Sequence, residues 1–133
     1  MAARTSAPEP PPPTEAELDV LRVLWDRGPS TVREVFEAIA RDKGVVYTTV
    51  LKQMQVMHQK GLLARSERFR SHVYEPAVER AATQQQLASS ILQRAFGGSA
   101  RSLLQSALAG RKVKPAELDE IRQLLDEYER RSK

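Results

Sequence analysis

Thr48, Thr49, Lys52, Gln53, Val56 and Lys60 recur at spacings that put them on one surface of a helix. Tyr47 opens that stretch, and Arg65, Arg68, Arg70, Ser71 and His72 follow closely in a short basic segment. Together they offer donors, small hydroxyls and positive charge. In a major groove such types have defined work: Gln bonds an adenine edge at two points, Lys donates to guanine or phosphate, and Thr bonds phosphate or touches a thymine methyl. A basic loop beside such a helix fits a phosphate backbone or a minor groove. The bland alternatives are a solvated helix face, a polar loop at SERFRSH and, for His72, a hydrogen-bonding loop histidine. The flanking elements decide between these readings.

Composition excludes several other chemistries. The chain has 133 residues, no cysteine and two histidines, which leaves neither a disulfide nor a thiolate metal site and makes a zinc site improbable. There is no Gly-rich phosphate loop, no carboxylate pair in an apolar setting and no cysteine nucleophile, so the expectation is a non-enzyme without cofactor or metal. No apolar run approaches the roughly 18 residues that span a bilayer, and the N-terminus lacks a signal-type apolar core, so a cytoplasmic location is expected. Net charge is +4. Residues 41–72 concentrate it, with seven basic side chains against two acidic, whereas residues 1–40 carry four basic and seven acidic.

The elements that must hold this stretch are legible in order. Residues 1–13 are Pro- and Ala-rich without periodicity and are expected to be a disordered arm. Thr14 and Glu17 form a capping box for a first helix bearing Leu18, Leu21, Leu24 and Trp25, stopped by Gly28-Pro29. Trp25 lies on the apolar stripe and is expected to pack in the core or a hinge, not on a base. Ser30 or Thr31 caps a second helix with Val32, Val35, Phe36 and Ile39 inward, closed by Gly44. The short turn that follows makes a helix-turn-helix. The third helix runs from about Tyr47 to Lys60, with Val50, Met54 and Met57 inward, and Gly61 ends it. A hairpin of residues 62–65 and 73–75 comes next, with Leu63 and Val73 expected inward and Arg65 and Tyr74 outward.

After Pro76 the chain reads as helical. Ile91, Leu92 and Phe96 lie on one face of a helix ending at Gly97-Gly98. Leu103 and Leu104 mark a short helix capped by Ser99. Leu118, Ile121, Leu125 and Tyr128 mark a last one opened by Pro115. Three such helices carry more apolar face than they can bury among themselves, so a dimerisation role is expected for these nine residues.

Four stretches also carry a resemblance: TEAELDVLRVLWDRGPSTVREVFEAI, VYTTVLKQMQVMHQKGLL, RSHVYEPAV and FGGSARSLL. In this unbroken order, over about residues 14–130, the chain resembles the penicillinase-repressor family of bacterial transcriptional regulators (BlaI/MecI/CopY type). The resemblance implies a winged-helix domain, a helical dimerisation domain, and repression by a homodimer on a pseudo-palindromic operator. It also implies, for many members, induction by a membrane metalloprotease sensor that cleaves the repressor. It places Thr48, Thr49 and Lys52 on the DNA-facing helix and SERFRSH in the wing. This chain departs at Val56, where many relatives have Arg. It lacks the cysteine-rich tail of copper-responsive members, and it reads Leu104-Gln105-Ser106-Ala107 where β-lactam-responsive members have an Asn-Phe pair.

The expectation is therefore a mainly α chain with three parts: a disordered arm over 1–13, a winged helix-turn-helix DNA-binding domain over 14–76 and a three-helix dimerisation domain over 77–133. Its partners would be a double-stranded DNA operator and a second copy of itself. The competing reading is a winged helix used for protein–protein contact, which would weaken little as salt rises, unlike DNA binding.

Overall fold

A computed structural model describes residues 11–132. Most of the arm expected at residues 1–13 lies outside them, although Pro13 is buried. The element order is α1 (Glu15–Arg27), α2 (Val32–Ala40), α3 (Tyr47–Lys60), β1 (Leu63–Arg68), β2 (Ser71–Pro76), α4 (Arg80–Phe96), α5 (Ala100–Leu108) and α6 (Pro115–Arg131). Two compact units divide the chain, one reaching to Ala88 and the other beginning at Ser89.

Local chemistry sets the first two helix starts. Thr14 accepts from the Glu17 amide while the Glu17 carboxylate accepts from the Thr14 amide, and Thr31 with Glu34 repeats the arrangement at α2. Each box satisfies two amides that a helix start otherwise leaves unpaired. Val46 precedes helix α3 without a side-chain cap bond, and Gly61 follows it, with a φ of 88° in the left-handed conformation that closes a helix. Helix α2 stops at Ala40, before Gly44, and the Asp42 and Lys43 amides that follow both donate to the Ile39 carbonyl.

The core of the first unit joins Val20, Leu21 and Leu24 of α1, Val35 and Ile39 of α2, and Val50, Met54 and Met57 of α3 with Leu62, Leu63 and Tyr74. Leu21, Met54 and Met57 are fully enclosed, and each such side chain contributes about 1.5–3 kcal/mol by leaving water. Val20, unread in the sequence, takes the inward place, while Leu18 is only half-buried.

The hairpin corrects the expected phase of β2. The strands are antiparallel with Leu63 opposite Pro76, Arg65 opposite Tyr74 and Arg68 opposite Ser71. Directly opposed residues share a face, so Tyr74 lies on the Leu63 side. Tyr74 is buried in the core, and Val73, also buried, lies on the opposite face. The cause is the turn. Strands run to Arg68 and from Ser71, leaving only Phe69 and Arg70 between them, at φ of 52° and 65°. Two positive φ values in a two-residue loop make the tight turn that matches strand twist and normally selects Asn-Gly. A side chain in that conformation costs about 1–2 kcal/mol per residue. The backbone of Tyr74 also exchanges two hydrogen bonds with Ser30, at 2.8 and 2.9 Å, so an isolated bridge joins the turn before α2 to β2. Three helices with this sheet form a winged helix-turn-helix.

Trp25 packs at a junction, as its place on the stripe suggested. Its indole Nε1 donates to the Val78 carbonyl at 3.1 Å, and the Arg80 guanidinium lies 5.5 Å from its ring centre while pairing with Asp26. The start of α4 is thereby fastened to α1.

In the second unit no residue of α5 or α6 is buried. Ser99 caps α5 by accepting from the Ser102 amide, and Pro115 opens α6. Of the nine residues expected at a dimer surface, Leu92, Phe96, Leu103, Leu118 and Ile121 are half-buried within the chain. Ile91, Leu104, Leu125 and Tyr128 are exposed, and so is Leu124.

Candidate nucleic-acid interface

Helix α3 presents its outer face as expected, and the fold divides the candidate residues into patches. Thr48, Thr49, Lys52, Gln53, Val56 and Lys60 line one open depression together with Thr14 and Glu17 of α1. Thr48, Thr49 and Lys52 are exposed, while Gln53 and Val56 are half-buried. No acidic residue lies in the first turn of α3, so the helix start keeps its positive end unopposed by its own side chains.

Lys60 stands on this face with its charge committed elsewhere. Its ammonium donates to Glu17 Oε2 at 2.6 Å, and the Glu17 side chain is almost wholly enclosed. Burial pushes the Glu17 carboxyl up, but the Lys60 ammonium and the Thr14 amide and hydroxyl outweigh it and hold the group below the ordinary carboxylate range. Lys43, also counted in the basic stretch, is likewise spent on Asp19 at 2.6 Å. The cations of residues 41–72 left to face a polyanion are Arg41, Lys52, Arg65, Arg68 and Arg70.

A second patch gathers Tyr47, Ser71 and His72 beside Thr31, Arg33, Leu51 and Tyr74. Tyr47 meets Phe36 edge-on at 5.8 Å between ring centres, and the Arg33 guanidinium sits 4.9 Å above the Tyr47 ring. Arg33 escaped the sequence reading because it lies on α2, outside the basic stretch. Its placement near Ser71 and His72 gives this patch a guanidinium that charge counting along the chain does not reveal. His72 is exposed and edge-on to Tyr74 at 6.4 Å.

The wing forms the third patch. Arg65, Arg68 and Arg70 are all exposed along the hairpin, with the Phe69 ring at the tip 92% exposed. Phe69 was also missed. Its sequence signal is faint, since a phenylalanine between arginines announces no turn.

The profile of the penicillinase repressor family matches residues 13–127. The chain belongs to the penicillinase repressor family. The Bacillus licheniformis penicillinase repressor is similar at 24% identity over 120 residues, covering 90% of this chain and 94% of that protein. The Mycobacterium tuberculosis transcriptional regulator BlaI is 36% identical over 63 residues, 47% of this chain and 46% of that protein. Among solved structures, one similar chain is the Bacillus licheniformis BlaI monomeric form in complex with the blaP half-operator. It is 23% identical, with a TM-score of 0.49, covering 55% of this chain and 89% of that one. For this member of the penicillinase repressor family, no helix among the described residues is long and apolar enough to cross a membrane. Nor do those residues contain a cluster of potential metal ligands.

Proposed function

We propose that the chain is a DNA-binding transcriptional repressor that acts as a homodimer on a pseudo-palindromic operator. The observation that carries this reading is the outer face of α3, where Thr48, Thr49 and Lys52 stand exposed on a helix held by two capped helices and flanked by a basic wing. In this reading α3 enters the major groove. Lys52 and Gln53 address base edges, while Thr48, Thr49 and Tyr47 address adjacent phosphates. Arg65, Arg68 and Arg70 neutralise backbone charge, with Ser71 and His72 on β2 and Arg33 on α2 beside them. Val56 adds apolar contact, and Lys60 positions the helix through Glu17. Two-fold pairing would set the half-sites one helical turn or a multiple apart. Repression then follows from occupying a promoter.

Competition binding across salt concentrations tests the reading. Lys52→Ala is expected to weaken binding to the preferred duplex by roughly tenfold and to relax discrimination at one base position. Arg70→Ala should weaken all duplexes alike and flatten the log–log salt slope by about one per subunit. If both variants match the parent protein at every salt concentration, α3 and the wing do not face DNA.

A further inference from the structure

The wing tip holds a feature that phosphate neutralisation does not use. Phe69 exposes 92% of its surface at the outermost point of the hairpin. The chain's other two phenylalanines, Phe36 and Phe96, are each half-buried. Both turn residues sit at positive φ, where Asn-Gly would be at ease and a phenylalanine is not. A strained turn that lifts an uncovered aromatic ring off the surface is the kind of departure from local preference that marks a contact site. Arg68 precedes the ring and Arg70 follows it, both exposed, so any surface that receives Phe69 must also accept two cations.

We propose that Phe69 is a wedge: the wing presses its ring into the minor groove, where it partly opens a base step and bends the duplex. This rests on the DNA-binding reading above. The major groove is taken by α3 in that reading. The minor groove, about 6 Å wide, admits the edge of a ring carried on a two-residue turn but not a helix. Its walls are phosphates, which suit Arg68 and Arg70, and its floor is apolar once a step is unstacked. Apolar side chains inserted between base steps kink DNA toward the major groove. The cost depends on sequence, because pyrimidine–purine steps open readily and A-tracts resist. Phe69 therefore confers a preference for TA or CA/TG steps at a position where no hydrogen bond reads a base. A protein surface receiving the ring would need a matching apolar slot between two carboxylates and would leave the DNA straight.

The test uses the full chain with a duplex that the parent protein selects from a randomised pool, labelled at both ends for energy transfer. The parent protein is expected to bend this duplex and to lose affinity when the step under the wing is replaced by an A-tract. Phe69→Ala should straighten the complex, lose roughly tenfold in affinity, as removal of an aromatic–base contact does, and become indifferent to the A-tract. Phe69→Leu, still an apolar wedge, should keep most of the bend. Circular dichroism checks that both variants fold. Equal affinity and equal bend for Phe69→Ala overturn the wedge while leaving the α3 reading intact. A straight parent complex overturns it as well. If the parent protein selects no duplex at all, the DNA-binding reading fails and the wedge fails with it.

Discussion

A chain carrying both Leu125→Asp and Tyr128→Asp is expected to elute as a monomer and to lose roughly 100-fold in affinity for a two-site operator. Its affinity for a single half-site should not change. Both side chains are open to solvent. Leu125 is 56% and Tyr128 64% exposed, with Leu124 beside them at 58%, on a helix that buries none of its residues within the chain. Substituting them leaves the packing of their own subunit nearly untouched. It places two carboxylates in the centre of any surface that covers α6, where an unpaired charge is expensive to desolvate. The loss in operator binding is not a loss of DNA contact. Joining two readers turns the second half-site into a local event, and separation removes that advantage. Light scattering and binding to one-site and two-site duplexes give the three readouts. A stable dimer after both substitutions would move the pairing surface off α6.

The second large effect concerns Lys60. Lys60→Ala is expected to destabilise the winged-helix unit by about 2 kcal/mol, between the fraction of a kcal/mol typical of a surface pair and the several lost when a fully buried pair is broken. The reason is the asymmetry of the contact, in which the Glu17 side chain is 2% exposed and that of Lys60 36%. Removing the cation strands a carboxylate that also completes the cap of α1. Lys60→Met with Glu17→Gln should recover much of the loss, because neither charge is then left alone. The sign of the pH dependence follows from Glu17. Its carboxyl is held below the ordinary range, so the pair's contribution is complete above about pH 4.3 and disappears as pH falls through the lowered folded value. Parent and variant should therefore differ fully in urea melts at pH 7 and converge on acidification. A role for Lys60 as a phosphate contact would leave the melts alone and flatten the salt dependence instead.

The Lys60–Glu17 contact shows where the sequence is informative and where it is not. The helices of the first unit were legible because their causes are local. Thr14 with Glu17 and Thr31 with Glu34 announce their starts, and Val50, Met54 and Met57 mark an inward face by spacing alone. The outer face of α3 was legible for the same reason. Lys60 fell at the correct helical phase, but its partner lies 43 residues earlier, and no periodicity reports that. The phase of β2 was lost because the register depends on a turn built from Phe69 and Arg70, neither of which signals positive φ. Once that turn is placed, Tyr74 faces inward and Arg65 remains at the surface. Arg33 was hidden by topology, since only the folded chain brings α2 beside Tyr47 and β2.

The Ser30–Tyr74 bridge bears on how the domain opens and closes. It joins the turn before α2 to the last strand of the unit and so closes a loop that contains α2, α3 and β1. Fraying of one helix end does not release it, because Ser30 and Tyr74 are both about 1% exposed and each amide is bonded to the other's carbonyl. In deuterated solvent these two amides are expected to exchange only through global unfolding and at a common rate. The exposed amides of the hairpin tip should trade their protons long before.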